Sequence, residues 1–315
     1  MKYQGLGNSG LQVSVVGLGC NNFGSRCHRS QTAAVVHAAL DAGITLFDTA
    51  DIYGPGGLSE EYLGAALQGH RHEAVIASKF GGPMADDDIY MKGASRRYIM
   101  EAVEASLRRL DTDHLDLYQI HFPDTDTPLE ETLRALDDLV TSGKVRYLGN
   151  SNFASWQIAS SDWLSRSAGI NRFITAQNEY SLLDRSVEAE VIPAAVEFRL
   201  SILPYFPLAS GLLTGKYVKG ESGPEGARLS GDTPPASRFR SDANVDKAEK
   251  LRAVADQAGH TLLELSISWL ANQPAVGSVI SGATTAEQVR ANALAADWVM
   301  TEDELAAIDE ITAPA

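Results

Sequence analysis

The chain has 315 residues, of which 44% are hydrophobic and 21% charged, with a formal net charge of -15. That length can hold one large α/β domain with a full core, and no apolar run approaches the ~18 residues that a membrane span needs. The negative balance opposes a nucleic-acid backbone and no Lys/Arg run relieves it locally, so neither nucleic acid nor membrane is an expected partner. Two cysteines, Cys20 and Cys27, and an N-terminus (MKYQGLGNSG) without a charged segment leading into an apolar one point to a reducing cytoplasm.

The first pattern met along the chain is Gly5-Leu-Gly-Asn-Ser-Gly10, which matches the G-x-G-x-x-G phosphate loop. Only four residues precede it, and residues 11–13 after it are strand-like instead of helical. It reads as a short hairpin turning at Asn8-Ser9-Gly10 and capping the bottom of a barrel. From Val15 to Asn292 short apolar runs alternate with longer amphipathic stretches, the pattern of repeated βα units and a parallel sheet. Eight units can be counted, with strands expected at 15–18, 44–47, 74–78, 115–120, 145–148, 173–176, 201–205 and 276–280.

After the third strand, Tyr98, Val103, Leu107 and Leu110 recur at helical spacing while Arg96, Glu101, Glu104 and Arg108 take other faces. Thr127 and Pro128 place a capping residue and a first-turn proline ahead of two acids and an apolar helix ending at Ser142-Gly143. Residues 208–242 are the least regular; following the seventh strand, they read as a cofactor-covering lid. Helices are expected at 245–258 and 261–272 before the eighth strand, with an extra C-terminal one at 301–311. No internal boundary is visible, so residues 1–315 read as one domain, a (β/α)8 TIM barrel in the α/β class. An open doubly wound sheet is less favoured because no phosphate loop joins a strand to a helix.

Asp48, Tyr53, Lys79 and His121 stand where apolar runs give way to loops, in ITLFDTADIYG, AVIASKFGG and LDLYQIHFPD. Taken singly they read as a helix cap, a packed aromatic, a solvated lysine and a structural imidazole. Together on three consecutive strand ends they read as a site. Reducing a carbonyl needs a hydride at carbon and a proton at oxygen, and no side chain supplies the hydride, so a nicotinamide cofactor is implied. Tyr53 can donate the proton if its pKa, ~10 in free tyrosine, is brought toward neutrality. Lys79 is expected to do this electrostatically and Asp48 to keep Lys79 charged through a buried ion pair. His121 can hydrogen-bond to the carbonyl oxygen. Schiff-base chemistry at Lys79 is disfavoured, because an ion-paired lysine stays protonated. Asp86, Asp87, Asp88 and Asp124 read as solvated carboxylates, with no metal required.

At these residues the sequence resembles the aldo-keto reductase family, in the branch that includes the β subunits of voltage-gated potassium channels. The resemblance runs over essentially the whole chain, through VVGLGCNNFG, FDTADIYGPGGLSE, IASKFGG, LDLYQIHFPD, VRYLGNSNF, AQNEYSLL, LPYFPLASGLLTGKY, SRF and SGATTAEQVRAN. It implies a (β/α)8 barrel, NADP(H) bound without a Rossmann domain, and the catalytic tetrad Asp48, Tyr53, Lys79 and His121. It places Gly19, Cys20 and Asn21 among the cofactor contacts, Ser151, Asn152 and Gln177 at the nicotinamide carboxamide, and Tyr205 on the nicotinamide ring. Amide and hydroxyl groups that donate and accept suit the first role, a planar side chain the second.

The resemblance further puts Phe206, Pro207, Leu208, Ser210, Gly211, Leu212 and Lys216 around the pyrophosphate, where glycine permits close approach. Phe206 departs from the serine common there. Gly282, Thr284, Gln288 and Asn292 match positions at the 2'-phosphate and adenine, the last three sharing a face if the helix begins at Thr284. Ala291 replaces a glutamate often present at the adenine, and no basic residue stands at the front of this motif. Arg238 of the S-R motif is therefore the expected cation, since Arg290 points away from Gln288 on a helix. The implied function is NADP(H)-dependent reduction of an aldehyde or ketone to an alcohol with Tyr53 as general acid; the alternative is a nucleotide-sensing regulatory subunit with little turnover. Loops 20–29, 80–91 and 122–127 leave the small-molecule carbonyl substrate open, and the oligomeric state is not written in the sequence.

Overall fold

In the computed structural model, which describes residues 1–85, 88–221, 223–231 and 233–313, eight parallel strands alternate with helices and close on themselves. A two-stranded antiparallel hairpin of β1 (Tyr3–Gly5) and β2 (Gln12–Ser14) comes first. The barrel strands are β3 (Val16–Gly19), β4 (Leu46–Asp48), β5 (Val75–Phe80), β6 (Leu115–Ile120), β7 (Val145–Ser151), β8 (Phe173–Gln177), β9 (Ser201–Ile202) and β10 (Val279–Gly282). They run in the spatial order β10-β3-β4-β5-β6-β7-β8-β9. Bonds from Ile202 N to Ala275 O (2.7 Å), Gly277 N to Ile202 O (2.9 Å) and Ile280 N to Pro204 O (3.1 Å) close the ring. The expected (β/α)8 barrel is the observed fold.

Each of the eight expected strands is present, β6 with the expected bounds and the others with shifted ends. The seventh is shorter than residues 201–205 because Pro204 has no N–H to give the ladder; pairing resumes only as a bridge between Tyr205 and Glu179. The hairpin plugs the bottom of the barrel. Leu6 and Val13 are fully buried in the interior beside Leu46, Ala77, Leu117, Ile174, Leu203 and Ile280, and Gln4 Nε2 donates to Val276 O and Gly277 O at 3.0 and 2.7 Å. The same packing explains the misleading glycine pattern. Gly7 adopts φ +52°, and a Cβ there would lie 2.2 Å from Ile174 O, so it serves close approach at the barrel floor, with no helix following.

The helices are α1 (Arg29–Asp41), α2 (Leu58–Ala66), α3 (Arg96–Leu110), α4 (Leu129–Thr141), α5 (Ser155–Ala168), α6 (Val191–Phe198), α7 (Pro234–Phe239), α8 (Asp242–Gln257), α9 (Leu262–Ala271), α10 (Ala286–Leu294) and α11 (Glu302–Thr312). In α3 the stripe Tyr98, Val103, Leu107 and Leu110 is buried, as its spacing requires. Thr127 does not cap α4; its hydroxyl donates to Asp124 Oδ2 (2.8 Å), and Pro128 takes the cap position. Thr261 and Thr301 each form a capping box, with Glu264 and Glu304. The region 208–242 is more regular than expected, holding a 3-10 segment, Ala209–Thr214, and α7; within it Ser222 and Asp232 lie outside the described residues, as do Asp86 and Asp87 of the acidic loop. No helix among the described residues is long and apolar enough to cross a membrane.

Helices α2 and α3 meet closely at Gly64, where a Cβ would sit 2.4 Å from Leu110 O. Alanine would gain up to ~1 kcal/mol of helix propensity, but backbone at that distance cannot yield cheaply. Gly64→Ala is therefore expected to destabilise the fold by about 1–3 kcal/mol in urea unfolding. An unchanged midpoint would show that the two helices separate freely.

Candidate active site

Asp48 is the last residue of β4, Lys79 lies one residue from the end of β5, and His121 follows β6 directly. Tyr53 belongs to the turn after β4, whose backbone is tied down by Thr49 N to Ala77 O (2.8 Å), Asp51 N to Lys79 O (3.1 Å) and Tyr53 N to Ala50 O (3.2 Å). Lys79 is fully buried. Its ammonium donates to Asp48 Oδ2 (2.6 Å), Thr49 O (2.9 Å) and Tyr53 OH (3.3 Å). Asp48 Oδ1 accepts from Gln177 Nε2 (2.8 Å) and Gln119 Nε2 (3.3 Å), so both carboxylate oxygens are satisfied. The His121 ring meets Tyr53 edge-on at 5.6 Å between centroids. The four residues named from strand ends are thus brought together.

Burial alone would lower the Lys79 pKa, but the Asp48 carboxylate and the Tyr53 hydroxyl outweigh it and the group is raised, remaining an ammonium at neutral pH. Burial pushes the Tyr53 phenol up, and the nearby Lys79 charge only partly offsets this. The expected shift of Tyr53 toward neutrality is not what the structure shows; Tyr53 is held as an uncharged phenol. His121 is pushed down to about 3, by burial first and then by the Lys79 charge, which makes it a neutral imidazole. Its Nδ1 is buried and has no hydrogen-bond partner among the described residues.

Above these residues opens a cavity of about 810 Å³, within the size range of small-molecule and cofactor sites. Asp48, Tyr53 and His121 line it, with Lys79 beneath them; Gly19, Cys20 and Asn21 line it from the end of β3. Ser151, Asn152 and Gln177 reach it from the ends of β7 and β8. Asn152 adopts φ +62°, which lets its side chain bond in two directions, Nδ2 donating to His121 O (2.9 Å) and Oδ1 accepting from Tyr205 OH (2.8 Å). The Tyr205 ring is thereby tethered at the wall. Gln177, expected at a carboxamide, lines the cavity and also donates an amide N–H to Asp48 Oδ1.

Phe206, Pro207, Leu208, Ser210, Gly211 and Lys216 line the next stretch, and Gly282, Thr284, Gln288 and Asn292 the far end. Thr284 precedes α10, where Thr285 is the cap, so the three polar residues do not share one helix face, although all reach the cavity. Two expected contacts do not line it. Leu212 is 1% exposed and packs in the core. Arg238 is drawn to the Glu179 carboxylate and stacks near Phe206 and Phe239.

Residues 15–313 match the model of the aldo/keto reductase family. The chain belongs to that family. It is 36% identical over 308 residues, 95% of this chain and 92% of the other, to a protein of Arabidopsis thaliana named as a probable voltage-gated potassium channel subunit beta. It is 34% identical over 323 residues, 98% and 92% of the two chains, to L-glyceraldehyde 3-phosphate reductase of Escherichia coli. Versiconal hemiacetal acetate reductase of Aspergillus parasiticus is 32% identical over 342 residues, covering 100% of this chain and 98% of its own. Aldo/keto reductases are oxidoreductases that generally bind NAD(P)H.

In this aldo/keto reductase, Arg26 and Arg228 also line the cavity, beside Lys216. Arg26 Nη2 donates to Gly226 O (2.7 Å) and Arg228 Nη2 to Asn22 Oδ1 (2.8 Å). The β3–α1 loop and the 208–242 segment are thus clasped from both sides. Among the described residues none of the three cations is ion-paired, and burial together with its cationic neighbours pulls Lys216 down. Their mutual repulsion calls for an anion. Sequence reasoning missed both arginines, because nothing in their local patterns links loops some 200 residues apart.

Proposed function

We propose that the protein is an NADP(H)-dependent reductase that converts an aldehyde or ketone to an alcohol, with Tyr53 as general acid. We further propose that residues 1–315 form one barrel domain acting in the cytoplasm on small carbonyl compounds. The observation that carries this reading is the Tyr53 hydroxyl 3.3 Å from a Lys79 ammonium that is itself 2.6 Å from Asp48. These groups sit at one end of a cavity whose wall carries Arg26, Lys216 and Arg228, three cations without an ion-pair partner among the described residues.

The cavity's donor set fits a phosphorylated dinucleotide. Ser151 and Asn152 can hold a carboxamide, Tyr205 can cover an aromatic ring, and Arg26, Lys216 and Arg228 can meet phosphate. Bound there, the nicotinamide supplies the hydride that no side chain can. The chain's own residues do the rest. His121, a neutral imidazole at the cavity wall, orients the carbonyl oxygen; Tyr53 passes its proton to that oxygen; Lys79 stabilises the phenolate left behind, and Asp48 holds Lys79 in place.

Arginines that recognise the extra phosphate of NADP(H) should discriminate between nucleotides. Removing a charge-assisted contact costs about 1.5–3 kcal/mol, so Arg228→Ala is expected to weaken NADPH by roughly tenfold or more and NADH less, in calorimetric titrations at fixed salt. Equal losses for both nucleotides would remove the ground for preferring NADP(H).

The regulatory alternative draws on the plant relative named as a channel subunit, while two other relatives are named as reductases. The latter favour turnover. Tight NADPH binding without turnover on a broad carbonyl panel, together with a stable protein partner, would reverse that preference.

A further inference from the structure

Behind the strands that carry Asp48 and Lys79 lies a second buried polar cluster, which the proposed chemistry does not use. Asp51, 1% exposed, stands in the turn between Asp48 and Tyr53. Its Oδ2 accepts from Tyr98 OH of α3 (3.2 Å), while its Oδ1 is buried without a hydrogen-bond partner among the described residues. Glu60 of α2, fully buried, accepts from Ser78 Oγ (2.5 Å) on β5 and Arg109 Nε (2.7 Å) on α3. Tyr118 of β6 is also fully buried, and its hydroxyl has no partner among the described residues. The titratable and charged groups facing Asp51 are thus Glu60 from α2, Tyr98 and Arg109 from α3, and Tyr118 from β6.

Arg109 is committed to Glu60, so the cluster contains a second carboxyl with no cation of its own. Ionised, Asp51 would keep one side-chain hydrogen bond where a carboxylate has room for several, and it would face another carboxylate in a site closed to water. The neutral acid meets neither cost. Burial, and then Glu60, accordingly push Asp51 up to about 7, against the pull of Tyr98, Arg109 and the Ile52 backbone N–H.

We propose that Asp51 is a positioning residue for Tyr53: the neutral acid lets the turn of residues 49–53 lie against β5, and loss of its proton to solvent releases that turn, drawing the phenol off Lys79. The route is short. A carboxylate can gain hydration only by moving outward, and its backbone N–H is bonded to Lys79 O, two residues before Tyr53. This inference rests on the reading of Tyr53 as general acid.

The test records carbon-13 NMR of ring-labelled tyrosines in the full chain with NADPH bound, beside turnover, through the range around pH 7. The Tyr53 signal is the one lost in Tyr53→Phe. In the native protein it is expected to show a one-proton step near neutrality, with turnover falling as pH rises through the same step. Asp51→Asn, a neutral isostere, should abolish both. Tyr98→Phe, which removes the donor favouring the carboxylate, should move the step to higher pH. A merely structural role would alter the melting temperature of Asp51→Asn and leave the step in place. A Tyr53 signal without a step, or a step that survives in Asp51→Asn, overturns the positioning role. The step with no turnover in any variant would support positioning and sink the reductase reading alone.

Discussion

Tyr53→Phe is expected to bind NADPH like the native protein while its carbonyl reduction falls by roughly 10²–10⁴-fold, the usual worth of a positioned general acid. The substitution keeps the ring whose edge meets His121 at 5.6 Å and removes only the hydroxyl 3.3 Å from Lys79 Nζ. Packing and cofactor contacts should therefore survive. Nucleotide fluorescence titration and turnover with a reactive aldehyde separate the two effects. Undiminished turnover would end the assignment of Tyr53, whereas lost binding would make it a structural residue.

Lys79→Met carries the second large effect, and it falls on stability as well as rate. Methionine can occupy the lysine stem, but Asp48 would then be a buried carboxylate, 3% exposed, held by two amide donors alone. Breaking one side of a buried pair typically costs 3–5 kcal/mol; the two glutamines place the expected loss near the lower bound, about 3 kcal/mol, in denaturant unfolding. Asp48→Asn added to Lys79→Met should recover part of that stability and none of the turnover, because the uncompensated charge goes while the ammonium stays missing. A stability loss that persists in the double variant would mean that shape, not charge, holds this site together. The Lys79 contribution itself is insensitive to neutral pH. Its folded pKa is raised, so the stabilisation is complete below the lysine's unfolded value and fades only as pH climbs through the higher folded one.

Much of the barrel and of the candidate site was legible because both rest on local periodicity. Buried parallel strands must be apolar runs, so the polar residues that end those runs, Asp48, Lys79 and His121, had to emerge at one rim. What escaped depends on contacts between distant loops. Arg26 and Arg228 come together only because the 208–242 segment folds back over the β3–α1 loop. Arg238 is taken by Glu179, 59 positions away, a pairing that its own motif does not show. Gln177 and Asp48, 129 apart, meet inside the barrel, which no single strand pattern could reveal. The direction of the Tyr53 shift is hidden from the sequence for a related reason: the lysine beside it is visible in the motif, but the depth of burial that outweighs that lysine is a property of the closed fold.

Carbonyl reduction itself is most directly tested by supplying NADPH deuterated on the transferring face of its nicotinamide, together with a panel of aldehydes and ketones, and locating the label by mass spectrometry. The geometry of Tyr53, Lys79 and the cavity predicts deuterium at the carbinol carbon of an alcohol product, one per nucleotide oxidised. Nucleotide bound tightly with no label in any product would contradict a reductase.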